Sequence, residues 1–181
     1  PMVMSWGSSS TKFDKVGYRR PVVDIDRLSP ELQRWAASRL RPKILVATQG
    51  KMPEAVIDRE GRWIPCVPVL TVFPIEGGLE LDELAAILSS PPVYAYLRST
   101  TLGAGLATTA LKVSAGELRK LPVPADRARL ADAAKLFHRS LISSDEAPAF
   151  ARAMNEAYGL ADEDDGVWLD IFTHYRERAQ R

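Results

Sequence analysis

The sequence predicts an α/β (α+β) fold in which an irregular, mostly antiparallel sheet with packed helices is followed by a C-terminal helical unit. Three observations predict it. Residues 43–73 are rich in β-branched and aromatic side chains but are interrupted by Pro65 and Pro68 and closed by Pro74. Each proline removes a ladder donor, so the later strand belongs at an edge or bulge. After Gly77 and Gly78 the pattern changes to a helical period, with Leu81, Leu84, Ala85 and Leu88 on one face. Beyond Pro124 three more helical stripes follow. With 181 residues and 46% hydrophobic content, the chain can bury a core in one or two compact domains.

In chain order, residues 1–12, with serines at 8, 9 and 10 and no apolar periodicity, read as a flexible lead-in. A proline at position 1 suggests a piece excised from something longer. Ser29 is placed to cap a helix with Pro30 at its first position. Leu32, Trp35, Ala36 and Leu40 then share a face, which puts Trp35 in the core, and Arg41 and Pro42 end the helix. The run KILVAT at 43–48 reads as a buried strand leading into a polar loop of Gln49, Gly50 and Lys51. Two β-rich runs flank Asp58, Arg59, Glu60 and Gly61, a hairpin loop in which glycine accepts positive φ; Trp63 falls on the second arm.

Asp82 and Glu83 occupy the first turn of the next helix, where the dipole favours anions. Pro91 and Pro92 break that helix and restart it, and Val93, Tyr96 and Leu97 carry the apolar face up to Arg98. Residues 99–109 read as a loop, and Ser114 with Glu117 as a capping box opening a short helix to Leu121. The three later stripes are Leu130, Ala133, Ala134, Phe137 and Leu141; Phe150, Met154, Ala157 and Tyr158, stopped by Gly159; and Trp168, Ile171, Phe172 and Tyr175. The acidic run at 162–165 precedes the last of them, where negative charge suits a helix start. These readings divide the chain into a lead-in at 1–12, a mixed domain at 13–124 and a helical unit at 125–181.

Composition narrows the function. Net charge is only +1, but residues 1–62 carry 12 Lys/Arg against 7 Asp/Glu, and residues 122–181 carry 8 against 11. A nucleic-acid face belongs in the basic first third, although such an imbalance also suits an ordinary solvated surface. No apolar run approaches the roughly 20 residues of a membrane span and no charged-then-apolar leader opens the chain, so a soluble, cytoplasmic protein is expected. Cys66, the single cysteine, sits between Pro65 and Val67 and reads as an inert thiol, and His138 and His174 have no zinc spacing. Asp24 and Asp26 suit turn roles before Ser29. Gly103 and Gly105 give half of a nucleotide-binding fingerprint, but they follow a helix, and Thr108 stands where the third glycine belongs. No metal, cofactor or catalytic residue is expected within this chain.

Four segments taken in order carry a further reading. They are RPKILV at 41–46; AVIDREGRWI at 55–64; LDELAAILSS at 81–90 with VYAYL at 93–97; and the LPVP exit at 121–124. Their succession resembles the TaqI-like C-terminal specificity domain, the target-recognition part of adenine-specific DNA methyltransferases, with relatives in restriction-modification specificity subunits. The resemblance implies sequence-specific contact with double-stranded DNA. It also implies a catalytic domain upstream in the same polypeptide, which would hold S-adenosylmethionine and methylate a flipped adenine, and a restriction or specificity subunit as a further partner. The chemistry itself is not expected here: Pro91-Pro92 is preceded by Ser90 and followed by Val93, so it lacks both the amide or carboxylate oxygen and the aromatic ring that would clamp the base.

Amide and guanidinium groups read base edges, and Lys and Arg contact phosphates. Gln49 is thus a candidate for adenine and Lys51 for phosphate or guanine, beside Thr48, though the same residues would suit an exposed β-turn. Arg59 and Arg62 at the hairpin form a second candidate contact. Arg98, Thr100 and Thr101 at the start of the glycine-containing loop and Lys112 before the capped helix suit either a phosphate clamp or a plain surface, and Lys43 at the start of the strand completes the set. The alternatives are a protein-interaction module docking a methyltransferase or restriction subunit through the C-terminal helices, and a free-standing enzyme.

Overall fold

The computed structural model describes residues 11–13, 16–18, 24–65, 68–101, 110–160 and 164–179. Cys66, the glycines at 103 and 105, and residues 162 and 163 of the acidic run lie outside them. A short hairpin comes first, β1 (Thr11–Phe13) against β2 (Val16–Tyr18), so strand residues begin already inside the stretch read as a lead-in. A 3-10 turn at Ile25–Arg27 follows, where Asp24 pairs with Arg27 at 3.1 Å. Helix α1 (Pro30–Ala37) starts as predicted: the Ser29 hydroxyl accepts from the Leu32 N–H at 3.4 Å. Its buried face is narrower than the periodicity suggested. Ala36 is buried, but Leu32 is 48% and Trp35 41% exposed, which corrects the expected core role of Trp35. An eight-residue helix presents few side chains to the body, and the indole is covered instead by the Arg39 guanidinium, 4.6 Å from its centroid.

Strand β3 (Lys43–Ala47) is buried at every position and continues through Thr48 into β4 (Gln49–Gly50). It is the centre of a three-stranded antiparallel sheet, flanked by β5 (Ala55–Asp58) and β6 (Val69–Val72). The proline-bounded β6 is an edge strand, as a chain short of amide donors must be. The hairpin at 58–61 is half right. Gly61 has φ +66, and a Cβ there would lie 2.6 Å from the Arg41 Cα, so both conformation and space require glycine. Residues 62–64 form no strand, however, and β5 pairs with β3. The Asp58 carboxylate takes the Arg62 and Trp63 amides at 3.0 and 2.9 Å, so donors that a second arm would have needed for a ladder are already used.

Seven α-helices lie among the described residues. Helix α2 (Leu81–Leu88) opens with the Glu83 carboxylate accepting from the Glu80 N–H at 2.9 Å and from Arg127 at 2.8 Å. Helix α3 (Pro91–Thr101) runs through Thr101, so residues 99–101 are helical and not loop. A two-residue strand, β7 (Leu111–Lys112), precedes α4 (Ala115–Arg119). Ser114 caps α4 by accepting from the Glu117 N–H at 3.1 Å, while the Glu117 carboxylate pairs with Lys120 at 3.3 Å.

Helices α5 (Arg127–Ile142), α6 (Ala147–Ala157) and α7 (Gly166–Ala179) follow. Most of their predicted stripe residues are buried, but Tyr158, Ile171 and Tyr175 are only partly so, and Leu141 at the end of α5 is 42% exposed. Phe150 sits among Phe137, Trp168 and Phe172, with centroids 5.3, 5.8 and 6.3 Å away. One apolar cluster runs from Ile44 and Val46 through α2 and α3 to Phe150, Trp168 and Phe172. The Tyr158 hydroxyl also reaches back across Pro124, donating to the Pro122 carbonyl at 2.8 Å. Residues on both sides of Pro124 thus contribute to one apolar cluster. No helix among the described residues is long and apolar enough to cross a membrane.

Candidate nucleic-acid interface

The site begins where the central strand changes neighbours. Thr48 donates its N–H to the Pro68 carbonyl at 3.2 Å and accepts from the Val113 N–H at 2.8 Å. Thr48 is a bend between β3 and β4, and through its two backbone groups the chain leaves the β6 side and meets the β7 side. Pro68 helps explain the exchange, since it has no N–H with which to extend the first ladder. The result is a two-stranded antiparallel ribbon, β4 against β7, with Gln49 opposite Lys112 and Gly50 opposite Leu111. Residues 49–51, expected as a loop, are thus a strand and the first residue beyond it.

The ribbon joins three of the ten candidates. Gln49, Lys51 and Lys112 are exposed, and directly opposed residues project on the same face, so Gln49 and Lys112 stand together with Lys51 at the end of the strand. Leu111 and Val113, on either side of Lys112, are buried and anchor it. Gly50 allows the tight exit, since a Cβ there would lie 3.0 Å from the Met52 carbonyl oxygen. The Lys51 N–H donates to the Tyr175 hydroxyl of α7 at 3.1 Å. Tyr175 went unnoticed as a site residue because its spacing from Phe172 marks it as part of a core stripe.

The structure removes or reassigns the other candidates. Lys43 is fully buried and ion-paired with Asp58, its register partner on β5, so it cannot reach DNA. Thr101 is buried, and its hydroxyl donates to the Leu97 carbonyl at 2.8 Å. Thr100 is exposed, but its hydroxyl donates to the Tyr96 carbonyl at 3.0 Å. The Thr48 hydroxyl donates to the Pro68 carbonyl at 2.9 Å, which gives it a place in the strand exchange. Arg98 donates to the Tyr94 hydroxyl at 2.9 Å and lines a shallow hollow with Asp164 and Asp165, an acidic setting for a phosphate contact. Arg59 and Arg62 follow Asp58, which pairs with Lys43 at the other end of β3, a strand of five residues spanning about 16 Å. Arg62 pairs with Glu60.

Arg59 belongs to a different cluster. It donates through both terminal nitrogens to Asp82 at the start of α2, and His138 of α5 lies 2.5 Å from the same carboxylate. With its proton on Nε2 the imidazole donates there too. The Arg59 hydrogen bonds hold the Asp82 carboxyl below its ordinary range; partial burial opposes them, and His138 adds to them. A depressed carboxylate stabilises the fold above its unfolded pKa and loses that contribution as pH falls through the folded value. Because Arg59, Asp82 and His138 all remain more than a third exposed, Asp82→Asn should cost less than about 1 kcal/mol near neutral pH. Urea titration of both proteins checks this. No three His, Cys, Asp or Glu side chains among the described residues are grouped as metal ligands.

Comparison with known proteins gives no match: no family model, curated protein or solved structure is similar to this chain.

Proposed function

We propose that this chain is the target-recognition part of an adenine-specific, S-adenosylmethionine-dependent DNA methyltransferase from a restriction-modification or related defence system, reading duplex DNA through the β4–β7 ribbon. The observation that carries the reading is the pairing of the exposed Gln49 with the exposed Lys112 across a ribbon that ends on the exposed Lys51. A major groove is wide enough for a two-stranded ribbon, a glutamine amide matches the adenine N6 and N7 edge, and the two ammonium groups suit phosphate or guanine. The order of the four sequence segments supports the same reading. Methyl transfer falls to a catalytic domain elsewhere in the polypeptide. The contacts made by this part would help offset the few kcal/mol that base flipping costs. The rival docking role has less to work with, because the apolar stripes of α5, α6 and α7 are largely spent on the chain's own core.

The test is duplex binding by fluorescence anisotropy across a salt series, comparing the wild type with Lys51→Glu/Lys112→Glu. Charge-assisted contacts are worth about 1.5 kcal/mol or more each, so the double variant should bind more than about a hundredfold more weakly. The slope of log K against log salt should also fall by about two. A folded double variant with unchanged affinity and slope would remove the ribbon from the DNA contact.

A further inference from the structure

We infer that Tyr175 is a positioning residue for this ribbon: by accepting the Lys51 backbone N–H, helix α7 sets where the tip of β4 lies. The inference rests on the proposed DNA-reading role of the ribbon and adds to it a dependence on the C-terminal helix. Gly50 opposite Leu111 is the end of the ladder, so the next amide, that of Lys51, has no β7 partner. The Tyr175 hydroxyl supplies one at 3.1 Å from 124 residues away. On the other side of Lys51, Met52 and Pro53 are buried, so the exposed lysine is held at the backbone from both flanks. The phenol inherits its position from the core, because Phe172, nearly one turn earlier on α7, is buried against Trp168 at 4.6 Å. A lysine whose backbone is already fixed loses less freedom when its ammonium group meets a phosphate.

Tyr175→Phe in the full chain removes the hydroxyl alone. Amide exchange at Lys51, followed by NMR, should quicken about fivefold while β3 stays protected, as expected for one neutral hydrogen bond. Unchanged exchange at Lys51 would overturn the inference. On a mixed-sequence duplex, affinity should fall about fivefold with the salt slope intact, because both lysine charges remain. Lys51→Glu, by contrast, lowers the slope, which separates loss of position from loss of charge. Faster exchange with unchanged affinity would refute the positioning role. Wild-type protein that fails to bind duplex at all would overturn the DNA-reading proposal and this role together, and the exchange measurement would show whether the α7 contact itself exists.

Discussion

Asp58→Ala is expected to lose about 3–5 kcal/mol of unfolding free energy, the usual cost of leaving one member of a buried ion pair alone. Lys43 is fully buried and Asp58 nearly so, facing each other across β3 and β5. The same carboxylate accepts the Arg62 and Trp63 amides, so its removal strands three donors at once. Urea unfolding measures the loss. Lys43→Met/Asp58→Leu should recover part of it, since no unpaired charge remains, although the two amides still lack their acceptor. A double variant no better than Asp58→Ala would argue against the ion pair as the source.

The same residue predicts an acid limb. Burial pushes the Asp58 carboxyl up, but the hydrogen bonds from Lys43 and from the Trp63 and Arg62 amides, with the lysine charge, outweigh it and leave the group below its ordinary 3.8. Its contribution is therefore complete above the unfolded value and disappears as pH falls through the folded one. In Asp58→Ala, stability should be flatter across that acid range than in the wild type.

Phe150→Ala should cost about 3–5 kcal/mol by the usual reckoning for a buried phenylalanine. Its ring is fully buried and touches the aromatic side chains of both α5 and α7. The more telling result is where the loss appears. If the sheet and the helices share a core, amide exchange should accelerate in β3 as well as in α6, and unfolding should remain a single transition. Protection retained in β3 while α5, α6 and α7 open would show two independent units with a boundary at Pro124.

The features legible in the sequence were those set by neighbours within a few residues. The Ser29 cap, the left-handed Gly61 and Gly159, and the stripes through Phe137, Phe150 and Trp168 each depend on local spacing or on a conformation one residue type favours. What escaped was pairing at long range. Nothing near Lys43 announces Asp58, because the pair exists only in one strand register. The choice of β3 by β5 depended on Asp58 capturing the next amides, a competition between side chain and ladder that a β-rich run does not reveal. Trp35 misled because helical spacing says which residues align but not whether anything covers them. For the candidate interface, Gln49, Lys51 and Lys112 were visible as polar residues in suitable places, whereas their meeting on one ribbon, and the reach of Tyr175 to it, came only from the fold.

The handover at Thr48 has a consequence for how the ribbon can vary. β3 and β4 share a backbone but not a partner, so side chains at 49 and 112 can change in size or charge without disturbing the pairing of 43–47 with β5 and β6. An insertion or deletion at position 48 is another matter: a slip of one residue would turn every ribbon side chain to the opposite face. Substitution is therefore the tolerant way to alter what this edge presents, and length is the intolerant one.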